Sequence, residues 1–396
     1  MKEGWYIKTL GSLATFINGD RGSNYPSHDD FVKDGIPFIN AGHLINGTVS
    51  LSEMNYITEE KFNILSRGKI QKDDILFCLR GSLGKHAIVQ NISKGAIASS
   101  LVIIRCSEYV LPAFVSYYLD NNSVLSSITK ENTGSNQPNL SAKTMMRFQI
   151  PCPHISEQER IVGILDAEFK KIDALKANAE KNLQNAKDLF QAALKKELEP
   201  KDGWTTKHLN EFASYSIGLT YKPTDVSNNG VIVLRSSNIQ NDTLTLDDIV
   251  RVSCKIRDEL FVDEGDILMC SRNGSARLVG KVAMIGKEKE RMTYGTFMTV
   301  IKSEYNPILL YYFRSKDFRA QISKGENTMI NQITKYMLDD VVVSLPTDTN
   351  EINRIANVLD ALNEHCKTLQ DNYTQTIALC DDLKQALLRK AFSGEL

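Results

Sequence analysis

Residues 196–204 read "KELEPKDGW", and the chain divides at this stretch. A charged, helix-like tract without proline runs into Pro200, where a helix must stop because proline offers no backbone N–H and its ring clashes with the preceding turn. Directly afterwards the chain writes Gly203-Trp204, repeating the "MKEGW" with which it begins. An opening written twice, the second time just past a helix end, marks a tandem duplication.

The rest of the chain keeps the same order in both copies. "EGWYIKTLGSLATFINGD" from Glu3 is answered by "DGWTTKHLNEFASYSIGL" from Asp202, and "DDILFCLRGSLGKHAIV" from Asp73 by "GDILMCSRNGSARLVGKVAMI" from Gly265. "YVLPAFVSYYL" from Tyr109 matches "YNPILLYYF" from Tyr305, and "ERIVGILDAEFKKIDAL" from Glu159 matches "NRIANVLDALNEHCKTL" from Asn353. The matches lie at offsets of 192 to 199 residues.

Each copy therefore divides into a mixed domain and a helical tract. Residues 1–156 and 200–350 carry short β-branched and aromatic runs such as "ASSLVIIRC" and "VIVLRSS", broken by turn signals at Asn46-Gly47 and Asn273-Gly274. That is an α+β pattern. Residues 157–199 and 351–396 read as two long helices, each on the order of 60 Å at 1.5 Å per residue. In the second, Ile355, Leu359, Leu362, Cys366, Leu369, Tyr373, Cys380, Leu383 and Leu387 alternate spacings of three and four, with a polar lapse at Thr376. The first follows through Ile161, Leu165, Ile172, Leu175, Ala179, Ala186, Leu189 and Ala193, with lapses at Glu168 and Asn182. A lone helix cannot bury such a stripe. The expectation is an antiparallel coiled coil of the two tracts, separating two mixed α+β globular domains in a pseudo-twofold arrangement.

Bulk properties bound the function. The 396 residues suffice for two or more domains, and 42% hydrophobic with 24% charged residues is ordinary globular composition. The N-terminus has no apolar leader, and no stretch approaches the roughly 18 apolar residues that span a bilayer, so a cytoplasmic chain without membrane contact is expected. The seven cysteines contain no C-x-x-C pair and suggest buried thiols rather than disulfides or zinc ligands. A formal net charge of −1 gives no global attraction to nucleic acid. Residues 272–291 nevertheless hold six basic residues against two acidic, a local positive patch.

At the level of motifs the chain resembles, over essentially its whole length, the specificity (S) subunit of Type I restriction-modification systems, the HsdS family. The resemblance is carried by the two Gly-Trp openings, by "TGSNQPNLS" (Thr133 to Ser141), by "IPCPHISEQERIVGILD" (Ile150 to Asp166) leading into a helix, and by the terminal "LKQALLRKAFSGEL" (Leu383 to Leu396). Two departures stand in the second copy: "ENTMINQIT" lacks the proline, and Asn353 replaces Glu159. The resemblance implies a DNA-reading subunit without chemistry of its own. Its expected partners are double-stranded DNA, methyltransferase (M) subunits, two of them, and restriction/translocase (R) subunits, with S-adenosylmethionine, ATP and Mg held by those partners. The motifs agree. The chain has no N-P-P-[FY] catalytic motif, no glycine-rich cofactor loop and no G-x-x-x-x-G-K-[ST] phosphate loop. The E-x-K spacings at Glu59 and Glu199 have no acidic cluster around them, so neither a catalytic residue nor a metal ligand is assigned. A coiled-coil adaptor indifferent to sequence is the alternative, and an autonomous nuclease a weaker one.

Reading a duplex requires donors and acceptors at the base edges, with Arg or Lys suited to guanine and Asn or Gln to adenine. Three recurring loops supply them. The first holds Asn18, Arg21, Asn24 and Tyr25, answered by Tyr221 and Lys222. The second holds Arg80, Ser82 and Lys85, with His86 beside them, answered by Arg272, Asn273, Ser275, Arg277 and Lys281. The third holds Asn136 and Gln137, answered by Asn331 and Gln332. Arg235 and Asn238 in "LRSSNIQ" are comparable to Asn40 and His43 in "INAGHLI". Because the two loop sets differ in residues, the two domains are expected to read different half-sites across a gap set by helix length.

Overall fold

The computed structural model describes residues 3–132, 138–288, 290–323 and 331–396. It resolves into two compact units: residues 1–179 with 375–396, and residues 180–374. Each is built on the same plan.

In the first unit the opening strand Tyr6–Thr9 pairs antiparallel with Gln149–Cys152, the strand that leads into the first long helix. The second opening does the same, Trp204–His208 pairing with Val342–Pro346. The Gly-Trp signature thus marks where the chain is fastened to its own exit. The central sheet of the first unit has the order Ala14–Asn18, Leu101–Cys106, Ile75–Cys78, His86–Ile88, Gly47–Val49, Leu44–Ile45. Its counterpart orders Ser214–Ile217, Met298–Lys302, Ile267–Cys270, Val282–Met284.

The runs "ILFC" and "ILMC" are apolar at every position because both faces of these strands are covered. Alternation then distributes them between two cores. Ile75, Phe77, Val102 and Ile104 face one cluster, while Leu76, Cys78, Leu101 and Ile103 face the other. In the second unit Ile267, Met269 and Ile301 face one, and Leu268, Cys270, Met298 and Val300 the other. At about 25 cal/mol per Å2 of apolar surface, burial of this kind supplies most of the driving force for each unit.

The long helices are continuous, Ile155–Glu197 and Thr349–Ser393. Inside the first unit they run antiparallel, with Lys176 paired to Asp381 at 2.6 Å, Lys384 to Asp173 at 2.5 Å, and Arg160 donating to the Leu396 carbonyl at 2.6 Å. Inside the second unit Arg354 meets Glu197 at 3.2 Å. The register differs from the sequence expectation in part. Leu175, Leu189 and Leu383 are 52%, 51% and 49% exposed, whereas Leu194 and Leu388, off the expected stripe, are buried. Ile172, Ala179, Ala186, Cys366 and Cys380 are buried as the spacing requires.

Each recognition-type domain is tied to its helix by the same bond. Tyr117 donates to the Asp166 carboxylate and Tyr311 to that of Asp360, both pairs 49 residues apart. Burial and the adjacent carboxylate together hold both phenols protonated, well above the ordinary tyrosine range. At the helix starts Glu157 and Glu351 each clamp an arginine one turn on, Arg160 and Arg354, through two hydrogen bonds.

Two internal devices also recur with changed residues. Asp74, whose side chain is 1% exposed, receives two bonds of 2.8 Å from Arg105. Asp266 holds the same place and is met by Lys302 at 3.1 Å. In the turn after the strand Ile36–Ile39, His43 Nδ1 accepts the Asn40 N–H, and Nε2 therefore carries the proton donated to the Glu53 carbonyl. Asn238 reproduces both contacts, its amide oxygen accepting from Arg235 N and its nitrogen donating to the carbonyls of Thr245 and Asp248. The carbonyls of both residues accept an N–H seven positions on, from Ser50 and Thr245.

Two stability changes follow. Arg105→Met strands a buried carboxylate and lowers unfolding free energy by about 3 kcal/mol in denaturant titration. His43→Ala and Asn238→Ala each lower it by about 1 to 3 kcal/mol by leaving buried backbone groups unpaired, whereas His43→Asn keeps most of the stability that His43→Ala loses.

Candidate nucleic-acid interface

The loops singled out from the sequence converge on one short turn in each unit. In the first unit the turn is 98–100. Ala98 N donates to the Ile39 carbonyl at 2.8 Å, and Leu79 N donates to the Ser100 carbonyl at 2.9 Å. Gly19 lies so close that a β-carbon there would sit 2.6 Å from the Ala98 oxygen. In the second unit the turn is 295–297. Gly295 N reaches the Leu234 carbonyl at 3.0 Å, Ser271 N and Arg272 N both reach the Phe297 carbonyl at 3.0 Å, and a β-carbon on Gly218 would sit 2.2 Å from the Tyr294 oxygen. Three loops of separate sequence origin are thereby held side by side.

A fourth joins them. Arg80 forms a lone antiparallel bridge with Asn139, and Arg272 forms one with Gln332. Around the first, Gly81 N donates to Pro138 O and Leu140 N to Leu79 O, both at 2.9 Å; around the second, Ile333 N donates to Ser271 O at 2.7 Å. The Arg80 Nε also donates to Asn139 Oδ1 at 3.1 Å. The buried thiols of Cys78 and Cys270 donate to the carbonyls of Arg80 and Arg272, fixing where each basic loop leaves its strand. Burial pushes both thiols above the usual range, so they act as protonated donors.

The loops differ in length. A bond from Cys78 N to Lys85 O closes the first, and one from Cys270 N to Lys281 O closes the second, which is four residues longer. The extra residues form the turn Ala276–Leu278 and carry Arg277 into solvent. Asn273 folds back, its oxygen accepting from Ser275 N and its nitrogen donating to Ser236 Oγ at 3.1 Å, so the basic loop is tied to the strand end that bears Arg235.

Among the predicted residues, Arg21, Arg80, Ser82, Lys85, Lys222, Arg272, Arg277, Asn331 and Gln332 are exposed, and Asn18, Asn24, Tyr25, Tyr221, Arg235, Asn273, Ser275 and Lys281 half-buried. Tyr25 packs edge-on against Phe38 at 5.6 Å. Arg235 is drawn to Asp248 at 2.8 Å. Asn136 and Gln137 lie outside the described residues. Two expectations need correction. Asn238 is 1% exposed with its amide committed to backbone groups, so it holds the turn and has nothing left for a base edge. His86 is buried against Gly84 O and Ser116 and faces the helices instead of solvent.

The structure adds one residue that sequence reading missed. Phe297, at the tip of the convergent turn, is 56% exposed, and the Arg272 guanidinium lies over its ring at 5.6 Å. An exposed aromatic beside a cation suits stacking or contact with a thymine methyl. Its signal in the sequence was only "YGTF", an aromatic after a turn glycine. Among the described residues no group of three or more His, Cys, Asp or Glu is placed to hold a metal, and no helix is long and apolar enough to cross a membrane.

Comparison with known proteins supplies the family. The chain is 23% identical to the EcoKI specificity subunit of Escherichia coli K12 over 425 aligned residues, which cover 100% of this chain and 90% of that protein. It is 21% identical to the StySPI specificity subunit of Salmonella potsdam, with the same coverage. In fold it is similar to a chain from a study of complex assembly and conformational transition in a type I R-M system, with a TM-score of 0.80 at 19% identity over 100% and 99% of the two chains. The HsdS subunit from Thermoanaerobacter tengcongensis aligns with a TM-score of 0.57 at 18% identity, covering 100% and 98%. The family described as Type I restriction modification DNA specificity domain matches twice, over residues 2–185 and 201–378, so that two copies fill nearly the whole sequence. The duplicated platform of basic and amide loops thus has its explanation: the chain belongs to the Type I restriction-modification DNA specificity family.

Proposed function

We propose that this chain reads DNA for a Type I restriction-modification complex, each unit's loop platform contacting one half of a bipartite, asymmetric target. The observation that carries the reading is the repeated convergence of four loops on turns 98–100 and 295–297, which gathers dispersed basic and amide side chains onto one surface in each copy. The duplication itself divides the labour among them. Arg80 and Arg272 stand at equivalent bridges, and what both copies keep serves what both half-sites share, the phosphate backbone. Arg277 and Phe297 have no counterpart of the same kind in copy one, and serve what differs, the base edges of the second half-site.

The chain contributes recognition and no catalysis of its own; S-adenosylmethionine, ATP and Mg belong to the methyltransferase and restriction subunits with which it assembles. Two methyltransferase subunits match its two copies. Exposed Leu175, Leu379 and Leu383 on the helices of the first unit offer an apolar strip of the kind a partner covers. The uninterrupted helices Ile155–Glu197 and Thr349–Ser393 favour a second role, that their length sets the unread gap. An adaptor without sequence preference has no use for the platforms.

Two measurements test this. In the assembled methyltransferase complex, Arg272→Ala weakens binding to all duplexes alike and lowers the salt slope by about one, while Arg277→Ala costs about 1 to 3 kcal/mol on the cognate second half-site only. Equal effects from both, by fluorescence anisotropy on cognate and scrambled duplexes, overturn the division of roles. Inserting about one helical turn into both long helices lengthens the gap between methylated half-sites without changing either half-site, as mapped by sequencing of methylated bases; altered half-sites overturn the ruler.

A further inference from the structure

The second unit contains a cavity of about 310 Å3 that the DNA-reading surface does not account for. It is lined by Lys187 and Gln191 of the first long helix, by Asp242, by Lys281, by Arg314 in the turn between the two short helices Asn306–Tyr312 and Lys316–Ile322, and by Arg319 of the second of them. Four cations therefore face one carboxylate. Among the described residues none of the four is in an ion pair, and the Arg314 Nε is buried with no hydrogen-bond partner. Arg314 is nonetheless firmly held. Its Nη2 donates to the Asp242 carbonyl at 2.6 Å, its guanidinium lies 5.5 Å from the Tyr311 ring centre, and its own carbonyl accepts from Gln191 at 3.2 Å. Arg319 lies across Gly280, where a β-carbon would come within 2.8 Å of its guanidinium. Desolvation lowers the proton affinity of both arginines, the mark of cations gathered out of water without full compensation.

The first unit provides an internal control. Gln385 donates to the Asp120 carbonyl at 3.0 Å as Gln191 does to that of Arg314, so the scaffold contact is the same. The side chains are opposite. Asp120 stands in the place of Arg314 and is met by His86 at 3.7 Å, and Leu125 stands in the place of Arg319, against Gly84. A purely structural requirement would have been the same in both copies. Lys281 has a cationic counterpart in Lys85, but Arg314 and Arg319 are cations in one copy only, in a cavity, with a buried donor left over.

We propose that this cavity is a phosphate-binding site, in which the guanidinium groups of Arg314 and Arg319 grip the oxygens and Lys187 and Lys281 complete the charge. Arginine forks match phosphate geometry, and four cations with one carboxylate leave a positive surplus that a phosphate group offsets in large part. The phosphate group has two sources, a free phosphate compound or a backbone phosphate of bound DNA.

Calorimetric titration of the full chain with inorganic phosphate, at constant ionic strength in chloride, tests the site. The chain takes up one phosphate saturably. Arg319→Leu, which imports the residue the first copy uses and so preserves the fold, weakens uptake about tenfold or more, and Lys187→Ala weakens it several-fold. Lys316→Ala, on the same short helix but outside the cavity, leaves it unchanged. If a non-cognate duplex abolishes phosphate uptake, and Arg319→Leu lowers the salt slope for that duplex by about one, the site takes a DNA phosphate; if uptake persists beside duplex, it takes a free phosphate compound. Absence of saturable uptake by the unaltered chain, or uptake by Arg319→Leu equal to it, overturns the proposal.

Discussion

The DNA-reading platform of either unit depends on a close approach of backbone to backbone. Gly19 and Gly218 press against the turns at 98–100 and 295–297 at distances where any β-carbon would overlap a carbonyl oxygen. That contact lets the first loop lie beside the turn, and the turn in turn takes the strand end at Ile39 or Leu234 and the basic loop at Leu79 or Ser271. The four loops of each platform are separated by tens of residues, and no local preference would bring them together. Their arrangement is bought by main-chain bonds, which leaves their side chains free to vary.

The platform is useful only if it is held rigidly, and the tyrosine bonds to the long helices do this. Tyr117 and Tyr311 reach Asp166 and Asp360 over an identical separation, and Tyr118 and Tyr312 beside them donate to the carbonyls of Gln149 and Val342, on the strands that lead into the same helices. At the helix start the copies part. Gln158 is fully buried, accepting from Leu111 N and donating to the carbonyls of Tyr109 and Pro153, while the same turn of the second helix buries Ile352. A satisfied polar network and an apolar contact solve one packing problem, as they should when every buried donor is paired.

Much of this was legible in the sequence because repetition and periodicity are one-dimensional signals. The Gly-Trp openings, the double-faced "ILFC" and "ILMC" runs, the helix tracts and the Asn46-Gly47 turn, where both residues take positive φ of 49° and 73°, are local features. The helix seam was only half legible. Three-four spacing put Leu175, Leu189 and Leu383 inside, yet in the middle of the tracts burial falls on every seventh residue, at Ile172, Ala179 and Ala186. Small side chains make a narrow contact, and one position in each heptad fills it. The site residues were legible as loops and much less so as individual side chains. Asn238 resembles a reader by composition, but its role is fixed by the carbonyls of Thr245 and Asp248, which only the fold brings near. Phe297 carried no signal because an exposed aromatic and a core aromatic look alike in a string.

A duplicated chain holds its own comparison, and that separates scaffold from function more sharply than burial does. Where the fold needs a group, both copies supply it, though not always with the same residue: Arg105 becomes Lys302 opposite a buried aspartate, and His43 becomes Asn238 with both of its hydrogen bonds preserved. These substitutions change chemistry and keep geometry. The reverse also occurs, where geometry is kept and the chemistry is inverted. Gln191 and Gln385 hold equivalent carbonyls while the residues that own them are Arg314 and Asp120. No packing requirement explains an inversion of charge at a fixed backbone position. It marks a place where the two halves of the molecule meet different surroundings, and the extra residues around Arg277 mark another. Divergence on an unchanged frame is what a subunit with two unlike targets requires, since each half must keep the platform and alter only what the platform presents.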